Sequence, residues 1–180
     1  MLLKIALFVA VIGLSQCQDL NQIFDGCGRG WTSFNDSCYV YIRDPKSWSS
    51  ARKFCKLYGS DLASISSQEE NDFVADLAYG EEAWIGLSDV WPQAGMLLEI
   101  GGEPLKLTAT WAWSDGTPYN GYSNWAPEQP SGMQDTVQIN YDGKGMWDDQ
   151  DFWAKLNFIC EKPARKRPNR EDFRENREQK

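Results

Sequence analysis

Four cysteines, Cys27, Cys38, Cys55 and Cys160, limit what this chain can fold into, because of what precedes them. Lys4, an apolar run over 5–14 and Ser15-Gln16-Cys17 supply the charged, apolar and small-residue parts of a secretory signal peptide. Cleavage is expected after Cys17. The alternative, a lipidated anchor at Cys17, is the weaker one because bulky Gln16 stands where a small residue is wanted. An exported chain left with four cysteines reads as two disulfides, for which three connectivities are open. Thiolate metal sites are thereby disfavoured. No later run approaches the roughly 18 apolar residues of a membrane span, so a secreted, extracellular, soluble chain is expected.

At 180 residues, 42% of them hydrophobic, the chain is long enough for one domain with its own core. Charge divides it. Residues 18–161 hold 9 Lys and Arg against 22 Asp and Glu, whereas 162–180 hold 8 against 4. An acidic domain repels phosphates, which excludes nucleic acid as its natural partner and favours multivalent cations. The basic stretch at 163–180 has few apolar residues and reads as a disordered tail, and 18–26 as a short lead-in. With no histidine anywhere and the remaining cysteines paired, the commonest bases and nucleophiles are missing, so an enzyme is not expected.

Along the chain, turn residues alternating with aromatics over 28–41 suit a small hairpin, inside which Asn35-Asp36-Ser37 is an N-glycosylation sequon. Trp48, Ala51, Cys55 and Tyr58 recur at helical spacing, with Gly59 as the stop. A short strand over 61–65 leads to Ser67-Gln68-Glu69-Glu70, a capping box that opens a second helix burying Phe73, Val74 and Leu77. Strands follow at 83–87, 136–141 and 156–161, with Asp142-Gly143-Lys144-Gly145 as a hairpin turn. Residues 91–108 carry Gly95, Gly101, Gly102 and Pro104, which predicts a projecting loop or hairpin. Trp84, Trp113, Trp125 and Trp147 are expected as core posts, and Tyr119 and Tyr122 as exposed.

Side-chain oxygens collect between Asn124 and Asp149. Gln129 and Ser131 flank Pro130, where a cis bond turns both flanking side chains toward one point, and Asp148 and Asp149 end a strand. Mixed carboxylate and amide oxygens suit a hard cation such as calcium, which takes six to eight of them.

Trp84-Ile85-Gly86-Leu87, Trp113-Ser114-Asp115-Gly116, Asn124-Trp125-Ala126-Pro127, Trp147-Asp148-Asp149 and Phe158-Ile159-Cys160-Glu161, in that order, resemble the signature of a C-type lectin-like domain, with the resemblance running over 27–162. It implies an α+β fold: two helices flanking small antiparallel sheets, and a long loop region carrying the ligand site. It also implies the pairings Cys27 with Cys38 and Cys55 with Cys160. The family's inner disulfide is absent at both ends, Thr136 and Phe152 standing at its positions. A mobile long loop is then expected unless Phe152 and Trp153 pack against it.

In lectins of this family calcium is held by Glu-Pro-Asn or Gln-Pro-Asp, a downstream Glu, and the Asn-Asp of Trp-Asn-Asp. By that resemblance Gln129, Ser131, Asp148 and Asp149 are the carbohydrate-binding set, and the same four with Asp135 the metal set. Glu128 and Gln134 stand nearby. Ser131 departs from the pattern, as do Gln134 and a shortened segment before Val137, so the implied calcium site is weak, in the range of about 0.1–1 mM, or absent. The expected function is a secreted, calcium-dependent carbohydrate-binding lectin, leaning to galactose-type over mannose-type glycans and serving innate recognition. The alternative is a lectin-like module without sugar binding that recognises a protein or a mineral surface.

Overall fold

The computed structural model describes residues 26–89, 111–119 and 121–165. The expected signal segment, the expected loop over 91–108 and the expected tail after Arg165 lie outside them. The chain divides into two compact units, one formed by residues 1–38 and 163–180, the other by Tyr39–Lys162.

In the first unit a disulfide joins Cys27 to Cys38, and β1 (Thr32–Phe34) leads into the start of β2 (Ser37–Lys46). Asn35 occupies the turn between them, exposed and with φ of 49°, a conformation asparagine tolerates better than most residues. The amides of Ala164 and Arg165 donate to the carbonyls of Asp36 and Gly26.

The second unit carries the helices and the main sheet. Helix α1 (Trp48–Leu57) buries Ala51 and Cys55, whereas Tyr58 falls at its C-cap and is exposed, so the helical spacing overran the helix by one residue. Helix α2 (Gln68–Leu77) starts at Ser67, whose hydroxyl accepts from the Glu70 amide at 3.2 Å. The Glu70 carboxylate returns one residue further back than a capping box requires, accepting from the Ser66 amide at 2.7 Å. Its inward face is Asn71, Val74 and Ala75; Phe73 and Leu77 are only half-buried.

The sheet order within this unit is β2-β8-β4-β6-β7, with β3 (Asp61–Leu62) on β8 (Leu156–Pro163) and β5 (Trp111–Trp113) on β4 (Ala83–Asp89). β6 (Thr136–Ile139) and β7 (Trp147–Gln150) form the hairpin expected around Asp142-Gly143. The sheet is mixed, because β4 and β8 run parallel. The Cys55–Cys160 disulfide ties β8 to α1 over a separation of 105 residues.

Tryptophans hold the core through their area and their N–H groups. Trp84 and Trp147 are fully buried and Trp113 nearly so; Trp125 is half-buried. Trp84 Nε1 donates to the Lys46 carbonyl and Trp48 Nε1 to that of Ile85, both at 2.8 Å, so each indole is satisfied where it enters the core. Tyr119 and Tyr122 are half-buried, since their rings pack edge-on against Trp113 and Trp147.

Candidate functional site

Trp147 positions the long loop. Its indole donates to Asn71 Oδ1 at 2.7 Å, and the Asn71 and Asn124 amides both donate to the Gly145 carbonyl. The Trp147 amide donates to the Asn124 carbonyl, and the Ala126 amide to the Trp147 carbonyl, each at 2.8 Å. This short parallel bridge lays 124–126 along β7. Ala126 then accepts from the Gln129 amide, closing the turn that precedes the cis Gln129–Pro130 bond.

Beyond that bond the chain wraps around one carboxylate. Asp149 Oδ1 accepts from the Ser131 amide at 2.6 Å; Oδ2 accepts from the Ser131 hydroxyl at 2.8 Å, the Gly132 amide at 3.0 Å and the Gln134 amide at 3.2 Å. Gly132 has φ of 73°, the left-handed conformation that lets successive amides converge. Asp149 is 3% exposed, so the loop provides the solvation that water does not. The Ser131 hydroxyl also lies 2.8 Å from Gln134 Oε1.

Asp148 turns elsewhere. Successive strand residues leave on opposite faces, and its Oδ2 accepts from the Nε2 of buried Gln138, its register partner on β6, at 2.8 Å. Burial pushes the Asp148 carboxyl up, the Gln138 hydrogen bond opposes that rise, and the neighbouring Asp149 charge adds to it. Gln129 Oε1 and Gln138 Oε1 are buried acceptors without a hydrogen-bond partner. The Asp135 carbonyl accepts from the Asp89 amide, and Glu128 is exposed with φ of 66°.

The expected ligand set is therefore split. Ser131, Gln134 and Asp149 come together, Asp148 is held by Gln138, and Gln129 offers a lone acceptor. Each carboxylate oxygen has about two lone-pair sites, so the three donors on Asp149 Oδ2 crowd that oxygen out of a cation's reach and the Ser131 amide takes one of the two sites on Oδ1. As placed, these residues do not fit a calcium cage. Among the described residues no three acidic, histidine or cysteine side chains gather to hold a metal.

Gln138 escaped the sequence reading, although a glutamine inside the Thr-Val-Gln-Ile strand was its signal. Packing of Phe152 and Trp153 against the long loop was the condition on which the sequence made that loop less mobile. The two rings stack on each other at 4.2 Å and stay exposed, Trp153 at 71%. The missing inner disulfide is instead bridged by Thr136, whose hydroxyl donates to the Gln150 carbonyl at 2.8 Å across the same two strands.

The family model for the lectin C-type domain matches residues 44–162. The chain belongs to the C-type lectin domain family. This lectin domain is 31% identical over 140 residues to a lectin of the newt Pleurodeles waltl, with 76% of each chain covered. It spans only 24% to 42% of the length of the mouse and human proteins it also matches. Among solved structures it is similar to herring type II antifreeze protein, at 27% identity and a TM-score of 0.65 over 77% of this chain and 100% of that one. It is also similar to the carbohydrate-recognition domain of cow CD23, solved in the presence of a GlcNAc2Man3 oligosaccharide, at 31% identity and a TM-score of 0.62 over 78% and 98%. No helix among the described residues is long and apolar enough to cross a membrane.

Proposed function

We propose that this domain is a carbohydrate-binding lectin whose recognition loop is shaped by Asp149, and that it takes its glycan without needing a resident calcium ion. The observation that carries this reading is the set of four donors around the Asp149 carboxylate. Three of them are backbone amides, and they give the loop the counter-charge that a cation would otherwise share. The likeness to the cow CD23 carbohydrate-recognition domain, solved in the presence of a GlcNAc2Man3 oligosaccharide, supports a sugar as ligand, and the charged, apolar and small-residue run over 4–17 supports secretion.

The polar contacts would come from Ser131 and Gln134 at the loop tip, while the buried Gln129 side-chain oxygen would stay inside the turn. Trp153 supplies the apolar platform. Phe152 and Trp153 follow two and three residues after the end of β7, the strand that carries Asp149. An aromatic face stacks well on the apolar face of a galactose-type ring. Asp148 serves this reading as a structural carboxylate, held by Gln138.

Retention of the refolded full chain on a galactose resin, with a mannose resin beside it, tests the proposal. Binding that persists in chelator and is lost in Trp153→Ala supports it. Elution by chelator would return Gln129, Ser131, Asp135, Asp148 and Asp149 to the role of calcium ligands. Retention on neither resin by a folded protein would favour a protein or mineral surface as partner.

A further inference from the structure

The domain is acidic, yet five of its cations face one cleft. Lys46 at the end of β2, Arg52, Lys53 and Lys56 on α1, and Lys155 before β8 line an open pocket of about 980 Å3 with no acidic residue among the described residues of its wall. The opposing charge nearby is small. Lys46 pairs with Asp44 at 2.5 Å, while Arg52 and Lys56 share the single carboxylate of Asp61, at 3.1 and 2.8 Å. Five cations thus meet two carboxylates. Lys53 and Lys155 have no ion pair among the described residues and are exposed.

Two further features of the cleft point to an anionic ligand. The N-terminus of α1 opens into it, and Ser47 at the N-cap makes no side-chain capping bond, so the helix's first amides and its positive end are left for another acceptor. The Ser47 and Ser50 hydroxyls, 3.0 Å apart, stand at the same place. The remaining wall is apolar: Leu57, 82% exposed, and Phe54, with the Lys46 ammonium 5.8 Å from its ring centre.

We propose that this cleft is a second binding site, for a sulfated polysaccharide. Sulfate esters match the ammonium groups, the free helix amides and the serine hydroxyls; the pyranose faces between them match Phe54 and Leu57. An acidic peptide satisfies the charges but leaves Leu57 and Phe54 without a ring to cover them. The site shares no residue with the loop around Asp149 and stands independently of the function proposed for that loop.

The test is titration of the full chain with a dextran sulfate oligosaccharide at low ionic strength, against neutral dextran, polyglutamate and phosphatidylserine vesicles. The variant is Lys53→Glu/Lys155→Glu, whose two side chains hold no ion pair among the described residues, so its melting temperature should equal that of the wild type. Dextran sulfate should bind, weaken with added salt, and bind the variant about tenfold or more weakly. Equal affinity of variant and wild type would overturn the site by assigning the binding to other cations, including those of the basic tail. Tighter binding of polyglutamate or vesicles than of dextran sulfate, or no binding of dextran sulfate at all, would also overturn it.

Discussion

Replacing Asp149 separates an internal anchor from a metal ligand. Its carboxylate takes three backbone N–H groups and one hydroxyl while 3% exposed. Hydrogen bonds to a charged group contribute about 1.5–3 kcal/mol each when one partner is removed. Ser131 and Gly132 are exposed enough for water to replace part of that, while Gln134 is half-buried. A net loss of about 2–4 kcal/mol for Asp149→Ala follows, roughly the worth of one to two such bonds. Asp149→Asn keeps one carbonyl oxygen. Turned toward Gly132 and Gln134, it sets an NH2 group against the Ser131 amide, so donor faces donor and about 1–3 kcal/mol is still lost. The assay is urea unfolding followed by tryptophan fluorescence, with and without calcium, checked by thermal melting at about 4 °C per kcal/mol for a domain of this size. Both variants should be destabilised equally in chelator and in calcium. If Asp149→Asn matches the wild type in chelator and falls behind only when calcium is added, the anchor argument is wrong and Asp149 is a cation ligand.

Three other perturbations test the scaffold. Burial alone would raise the Asp61 carboxyl, but Lys56, Arg52, the Leu62 amide and the Ser114 hydroxyl outweigh it and hold it below the usual carboxylate range. A depressed folded value means that this stabilisation is complete above the unfolded carboxylate range and is lost as pH falls through the folded value. Urea midpoints of the wild type should therefore drop below about pH 4, and those of Asp61→Asn, lower at pH 7, should change less over the same span. Opening the 105-residue loop with Cys55→Ser/Cys160→Ser should cost about 4–5 kcal/mol in chemical unfolding, far more than a surface change. A Cβ at Gly86 would sit 2.9 Å from the Leu62 carbonyl oxygen, 3.0 Å from Ser114 Oγ and 3.1 Å from the Ala63 carbonyl oxygen. Gly86→Ala should accordingly cost about 1–3 kcal/mol, read as a lowered melting temperature.

Local signals carried the scaffold where a residue's neighbours in the chain decide its state. Ser67 caps α2 because a hydroxyl three residues before an amide needs no distant help. Asp142-Gly143 turns the β6–β7 hairpin for the same reason. Where distant surfaces compete, the sequence was less legible. Tyr122 is half-buried because Trp147, 25 positions away in sequence, offers it a ring, and Trp153 is exposed because among the described residues only the Phe152 ring packs on it.

By itself the sequence determined which chemistries were open: paired cysteines, no histidine, a proline able to set a cis bond, and oxygens gathered between Gln129 and Asp149. Tertiary structure alone decided what meets those oxygens. A carboxylate reads the same in sequence whether a cation or an amide neutralises it, and only the path of the loop over β7 brings three N–H groups to Asp149. The basic cleft has the same origin, since Lys46 and Lys155, far apart along the chain, become neighbours when β8 returns to the centre of the sheet. Electrostatic partners are set by distance in space, and along this chain that distance follows from topology.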